Sequence, residues 1–167
     1  MAAFDLEEQE QISQIKGWWE QFGTLVTGAA VAAALTLCAA SAALAQSSAP
    51  PAGSVAIHYN RCDNNYDGWG IHLWKDPGIP ISGVEWQKPM MPAGTDEFGV
   101  YWHTKLDEYT KGKVNYIIHK GDTKDQGGRD MSFDGNTTKE IWVNSGDRAI
   151  HTSLADARKA REAKPCK

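Results

Sequence analysis

An excess of basic charge is the first thing this chain lacks. Its 167 residues hold 17 Lys and Arg against 21 Asp and Glu, a formal net charge of −4. The imbalance is local: Asp5, Glu7, Glu8, Glu10 and Glu20 face only Lys16 within residues 1–23, and the remainder is neutral. A neutral body with no cationic stripe argues against nucleic acid, whose phosphates are bound through clustered Lys and Arg. The sequence also holds no P-loop, no dinucleotide fingerprint and no Gly-x-Ser-x-Gly elbow. Carboxylates are present as Asp96-Glu97 and as Asp122, Asp125 and Asp130. Neighbours in sequence diverge in space, however, and a glycosidase needs two carboxyls facing across a scissile bond in a cleft that a chain this short does not build. No catalytic role is therefore expected.

Metal signatures are equally thin. His58, His72, His103 and His119 fall in expected strands, but no close pair such as His-x-His announces zinc. Asp63, Asn65, Asp67 and Gly68 match the opening of a calcium loop, yet the twelfth position is Trp74 where a bidentate Glu is required, so the segment is read as a turn rich in Asx residues. No cofactor is expected. Cysteine is scarce, at three. Cys38 lies in an apolar run behind Leu37, a poor fit to a lipoprotein cleavage site. Cys62 and Cys166 remain, and an oxidising compartment would favour their pairing; two independent thiols are the alternative.

Residues 24–45 are free of charge and contain ten Ala. Such a run is either the apolar core of a signal peptide or a retained signal-anchor, and only retention would bring a membrane into play. Ala43-Leu44-Ala45 forms a small-x-small cleavage site followed by the polar, Pro-containing residues 46–53, as a linker would. Cleavage before Gln46 and a secreted or periplasmic product are expected, with inner-membrane anchoring facing the periplasm as the alternative. Residues 1–23 read as an acidic amphipathic lead-in ending near Trp18 and Trp19. Residues 5–23 resemble the N-terminal lead-in of bacterial single-pass tetratricopeptide-like membrane proteins.

From Ser54 short apolar runs alternate with Gly, Asp, Asn and Pro, the pattern of an all-β, immunoglobulin-like antiparallel β-sandwich over residues 54–152. Strands are expected at 55–59, 70–75, 99–106, 114–119 and 140–144, with lesser pieces near Val84 and Ala149. Residues 153–163 read as a short C-terminal helix capped by Ser153, within a tail running to residue 167. A monomer is expected.

Within Tyr66–Trp74, alternation sends Ile71 and Leu73 to one face and His72 and Trp74 to the other. Flat amphipathic rings on an outward face suit a sugar ring, because each offers a stacking surface and an N–H donor. Trp102 and Trp142 are expected to pack, Trp69 to join the core and Trp74 to be exposed.

The segments YDGWGIHLW (66–74), VAIHYNR (55–61), EFGVYW (97–102) and YIIHKGDTKDQGGRD (116–130) resemble a bacterial pullulanase-associated starch-binding domain, a family 41 carbohydrate-binding module. The resemblance runs over about residues 54–152. It implies a non-catalytic β-sandwich that binds α-glucans such as starch, glycogen and pullulan through two aromatic positions on one strand plus a Lys and an Asp from a later loop. Those positions fall at His72, Trp74, Lys124 and Asp130. His72 stands where some members carry Trp, and the Lys-to-Asp spacing is one residue longer than in some members, which leaves Asp125 as an alternative to Asp130. Such modules ride on a pullulanase. An envelope interaction domain that kept the sandwich and lost sugar binding is the alternative function.

Overall fold

The computed structural model describes residues 48–166, together with Lys16 and Glu20. The lead-in and the signal or anchor segment fall outside the described residues. Among the described residues no helix is long and apolar enough to cross a membrane.

Among the described residues ten strands follow one another: β1 (Ser54–Asn60), β2 (Gly70–Lys75), β3 (Ile79–Pro80), β4 (Gly94–Thr95), β5 (Val100–Lys105), β6 (Lys113–Lys120), β7 (Thr123–Lys124), β8 (Met131–Asp134), β9 (Glu140–Asn144) and β10 (Ile150–His151). They form two sheets, ordered β10-β9-β1-β5-β4 and β3-β2-β6-β7, with β8 also pairing β6. The architecture is an all-β sandwich with one short C-terminal helix. Every strand pair is antiparallel except β1 with β9, which runs parallel in the register Ile57 to Ile141. That departure from a wholly antiparallel sandwich is physically open because the rest of the domain lies between the two strands, far more chain than a parallel crossover requires.

The core follows from strand alternation. Val55, Ile57 and Tyr59 of β1, Val100 and Trp102 of β5, and Ile141 and Val143 of β9 meet Ile71 and Leu73 of β2 and Val114, Tyr116 and Ile118 of β6. Each fully buried Ile, Leu or Val side chain contributes about 1.5–3 kcal/mol relative to exposure, so these two inner faces hold the sheets together. Trp69 closes one end of this core beneath the Arg61 guanidinium, which lies 4.1 Å from its ring centroid. On the outer face of the first sheet Trp142 stacks on buried His58 at 4.8 Å, while His58 meets Asp96 at 2.6 Å.

The helix spans Leu154–Ala163 and starts where Ser153 accepts a hydrogen bond from the Asp156 backbone N–H at 3.1 Å. Asn144 of β9 donates to the Ala157 carbonyl, and a disulfide joins Cys62 to Cys166 with a Cα separation of 5.4 Å. In the turn after β1, Asp63 pairs with Arg61 and accepts from the Asn65 N–H, while Asn65 accepts from the Asp67 N–H. These acidic and amide oxygens order the turn itself.

Candidate functional site

The outer face of the second sheet carries the candidate residues His72 and Trp74. Register pairs Trp74 with Asn115, His72 with Ile117, and Gly70 with His119, so all six positions share that face. The His72 and Trp74 rings lie 5.7 Å apart at 28°, nearly coplanar neighbours along β2. Trp74 is half-buried, more covered than alternation alone implies. It pairs with Pro80 of β3 on one side and abuts His72 on the other.

A third ring enters from the loop after β3. Glu85 and Lys88 exchange two backbone hydrogen bonds of 3.1 Å, forming a tight turn with Trp86 and Gln87 at its tip. The turn is held to the sheet farther on, where Ile71 and Met90 exchange backbone bonds of 2.9 Å and the Trp102 indole donates to the Met90 carbonyl. Gly70 makes this approach possible: a Cβ there would meet Pro89 at 2.8 Å. Trp86 consequently lies flat on His119, with centroids 4.0 Å apart and planes at 5°, and stands edge-on to His72 at 5.6 Å. Its Nε1 donates to Asp122 at 3.2 Å, and the Lys124 ammonium lies over the ring at 5.2 Å. Sequence alternation did not find Trp86, because a turn-tip residue has no strand period to read.

His72, Trp74, Trp86, Ile117 and Asp130 line one open recess of about 250 Å³. The loop 125–130 comes to it because β7 pairs with the His119 end of β6 and β8 pairs with the Lys113–Tyr116 end. The intervening residues thus lie along the β6 edge beside Ile117, with Lys124 at one end of the loop and Asp130 at the other. Both side chains are exposed. Asp125 has different work: it accepts from the Tyr59 hydroxyl at 2.5 Å and from the Gly146 N–H at 2.8 Å. Burial, aided by that carboxylate, holds the Tyr59 phenol well above its ordinary value, so it stays protonated and donates.

Desolvation by burial holds the His72 imidazole below its ordinary value. The Glu85 carbonyl nearby opposes that shift, while electrostatic repulsion from His119 and Lys124 adds to it. His72 is accordingly neutral at pH 7, and its Nδ1 is buried without a partner among the described residues. His119 uses Nδ1 on the Gly121 carbonyl at 2.8 Å, leaving Nε2 buried and unpartnered. The other two strand histidines lie elsewhere, with His58 beneath Trp142 and His103 bonded to the Ser48 carbonyl. Among the described residues no group of three or more His, Cys, Asp or Glu is gathered as a metal site.

An open row of flat rings on one sheet of a sandwich, edged by a lysine and a carboxylate, has the shape and chemistry that suit a flat polar ligand. The model of the bacterial pullanase-associated domain matches residues 53–152, and the chain belongs to that family of non-catalytic modules. An alpha-amylase of Streptomyces lividans is 42% identical over 69 residues, covering 41% of this chain and 7% of that protein. Among solved structures, the product complex of SpuA, a multi-modular glycogen-degrading pneumococcal virulence factor, is 26% identical with a TM-score of 0.52, covering 62% of this chain and 11% of the other. A streptococcal family 41 module described for α-glucan recognition shares the fold at 17% identity and a TM-score of 0.52, covering 62% of this chain and 48% of its own. The chain thus spans under a tenth of the curated alpha-amylase and about half of the streptococcal family 41 structure.

Proposed function

We propose that this domain binds α-glucans through the outer face of the β2–β6 sheet. The observation that carries the reading is the convergence of Trp74, His72 and Trp86 on one open recess that Asp130 also lines. In this reading Trp74 stacks on the apolar face of a glucose ring, and His72 flanks the next ring. Lys124 donates to vicinal hydroxyls and Asp130 accepts from them, a complementary pair that fixes the orientation of the chain. Trp86 forms the far wall. The recess is shallow and wet, so binding is expected to be weak, about −4 to −8 kcal/mol.

Affinity electrophoresis in gels containing glycogen or pullulan tests this. The wild-type chain is expected to be retarded, and Trp74→Ala and Trp86→Ala each to run faster, since loss of one stacking ring is worth at least about 0.5–1.5 kcal/mol. Unretarded wild-type protein indistinguishable from Trp74→Ala would leave a sandwich that has lost sugar binding.

A further inference from the structure

The surface continues past Trp86. A second recess, of about 460 Å³, is lined by Trp86, Gln87, Pro89, Met91, His119 and Asp122 among others. Trp86 is the wall shared with the first recess, so the two cavities are consecutive along one face.

Its chemistry fits the same polymer. Pro89 and Met91 supply an apolar floor, and the exposed Gln87 amide and Asp122 carboxylate supply a donor and acceptors. Asp122 is already oriented by the Trp86 indole N–H at 3.2 Å. His119, stacked under Trp86, also lines this recess. The carboxylate disfavours an anionic ligand, whereas a neutral polyol meets apolar patches and a few convergent polar groups.

The exposed large hydrophobic residues differ in the face they occupy. Among the described residues these are Ile79 at 52% and Met91 at 51%. Ile79 pairs with Lys75, whose side chain alternates to the face opposite Trp74, so of the two only Met91, which lines the cavity beyond Trp86, belongs to this surface.

We propose that the recess beyond Trp86 is a further subsite for the same α-glucan chain, so that the domain reads a longer oligosaccharide than the first recess holds. This rests on the α-glucan reading of the first recess. Gln87 and Asp122 then bond hydroxyls of the extra glucose unit, and Met91 and Pro89 receive its apolar face.

Titration calorimetry of the full chain with maltotriose and with a linear maltohexaose tests the proposal. The wild type is expected to bind the longer sugar about fivefold or more tightly, the value of one or two added hydrogen bonds. Extra binding registers raise the apparent affinity of any longer chain, so the deciding quantity is the change in Gln87→Ala and Met91→Asp. Both residues are exposed, and unchanged melting temperatures will show that the variants fold. Each is expected to weaken maltohexaose binding severalfold and to leave maltotriose affinity unchanged. Variants that lose nothing on maltohexaose, or lose equally on both sugars, overturn the subsite. A wild type that binds neither sugar overturns the α-glucan reading itself, a result distinct from either.

Discussion

His72 is the residue whose chemistry departs most from a plain stacking platform. An imidazole presents less area than an indole, but it brings a titratable nitrogen into the centre of the row. Desolvation depresses its proton affinity in the folded protein, with His119 and Lys124 adding to the effect. The unfolded chain takes up a proton near the ordinary value of about 6.5, whereas the folded chain resists until lower pH. The stabilising contribution is therefore complete above that value and is lost as pH falls through it toward the depressed folded value. Thermal midpoints measured from pH 7.5 to 5 are expected to fall more steeply for the wild type than for His72→Phe; equal slopes would mean that another group controls the acid limb. In the α-glucan reading a bound sugar covers the ring further, so glucan affinity is expected to decline only at lower pH, where the free domain itself takes up the proton, and to be flatter in the variant. The outward direction of His72 and Trp74 was legible from a period of two along β2. Trp74 proved half-buried because coverage depends on β3 and on the neighbouring imidazole, which alternation does not describe.

The turn at Glu85–Lys88 carries the part of the site that no local pattern announces. Trp86 reaches the row only because Met90 pairs with Ile71 and Pro89 sits over a residue without a side chain. A substitution at Gly70 tests the dependence. Gly70→Ala is expected to push Pro89 outward, cost about 1–3 kcal/mol of stability as an overpacking change, and weaken glucan retention by displacing Trp86 from His119. Denaturant unfolding reads the first effect and affinity electrophoresis the second; a variant that is destabilised but retarded like the wild type would show that Trp86 does not depend on this contact. The long strands were readable because each is an apolar-rich run of five or more residues bounded by turn residues, as with Gly70–Lys75 and Glu140–Asn144. The two-residue strands β3, β4 and β7 have no period to display, and β8 is short and only partly covered. Asp125 and Asp130 look equivalent in sequence. The fold separates them, because Asp125 meets Tyr59 and Gly146 whereas Asp130 lines the recess.

At the scale of the whole domain, the ring row and the covalent closure belong to different sheets. The rows of rings lie on β2 and β6, whereas Cys62 follows β1 and Cys166 follows the helix that packs beside β9 and β10. The disulfide spans a sequence separation of 104 residues and so encloses nearly all of the described chain. A loop of that length removes about 4.7 kcal/mol of chain entropy from the unfolded state on the simple closure model, and loss of such a bond in small domains costs about 2–5 kcal/mol. Arg161 adds a local clasp, with one guanidinium nitrogen 2.9 Å from the Cys62 sulfur and another near the Ser145 hydroxyl. Since the bond acts mainly on the unfolded chain, its removal should change stability without redrawing the opposite sheet. Chemical unfolding of the wild type, of Cys62→Ser with Cys166→Ser, and of the wild type under reductant is expected to show the denaturation midpoint falling in both reduced forms. Retardation in glycogen gels under native conditions is expected to stay at the oxidised level. An unchanged midpoint would mean that the C-terminal tail is held by Arg161 and the helix alone, and a loss of retardation at full folding would couple the two sheets in a way that their separate hydrogen-bond ladders do not predict.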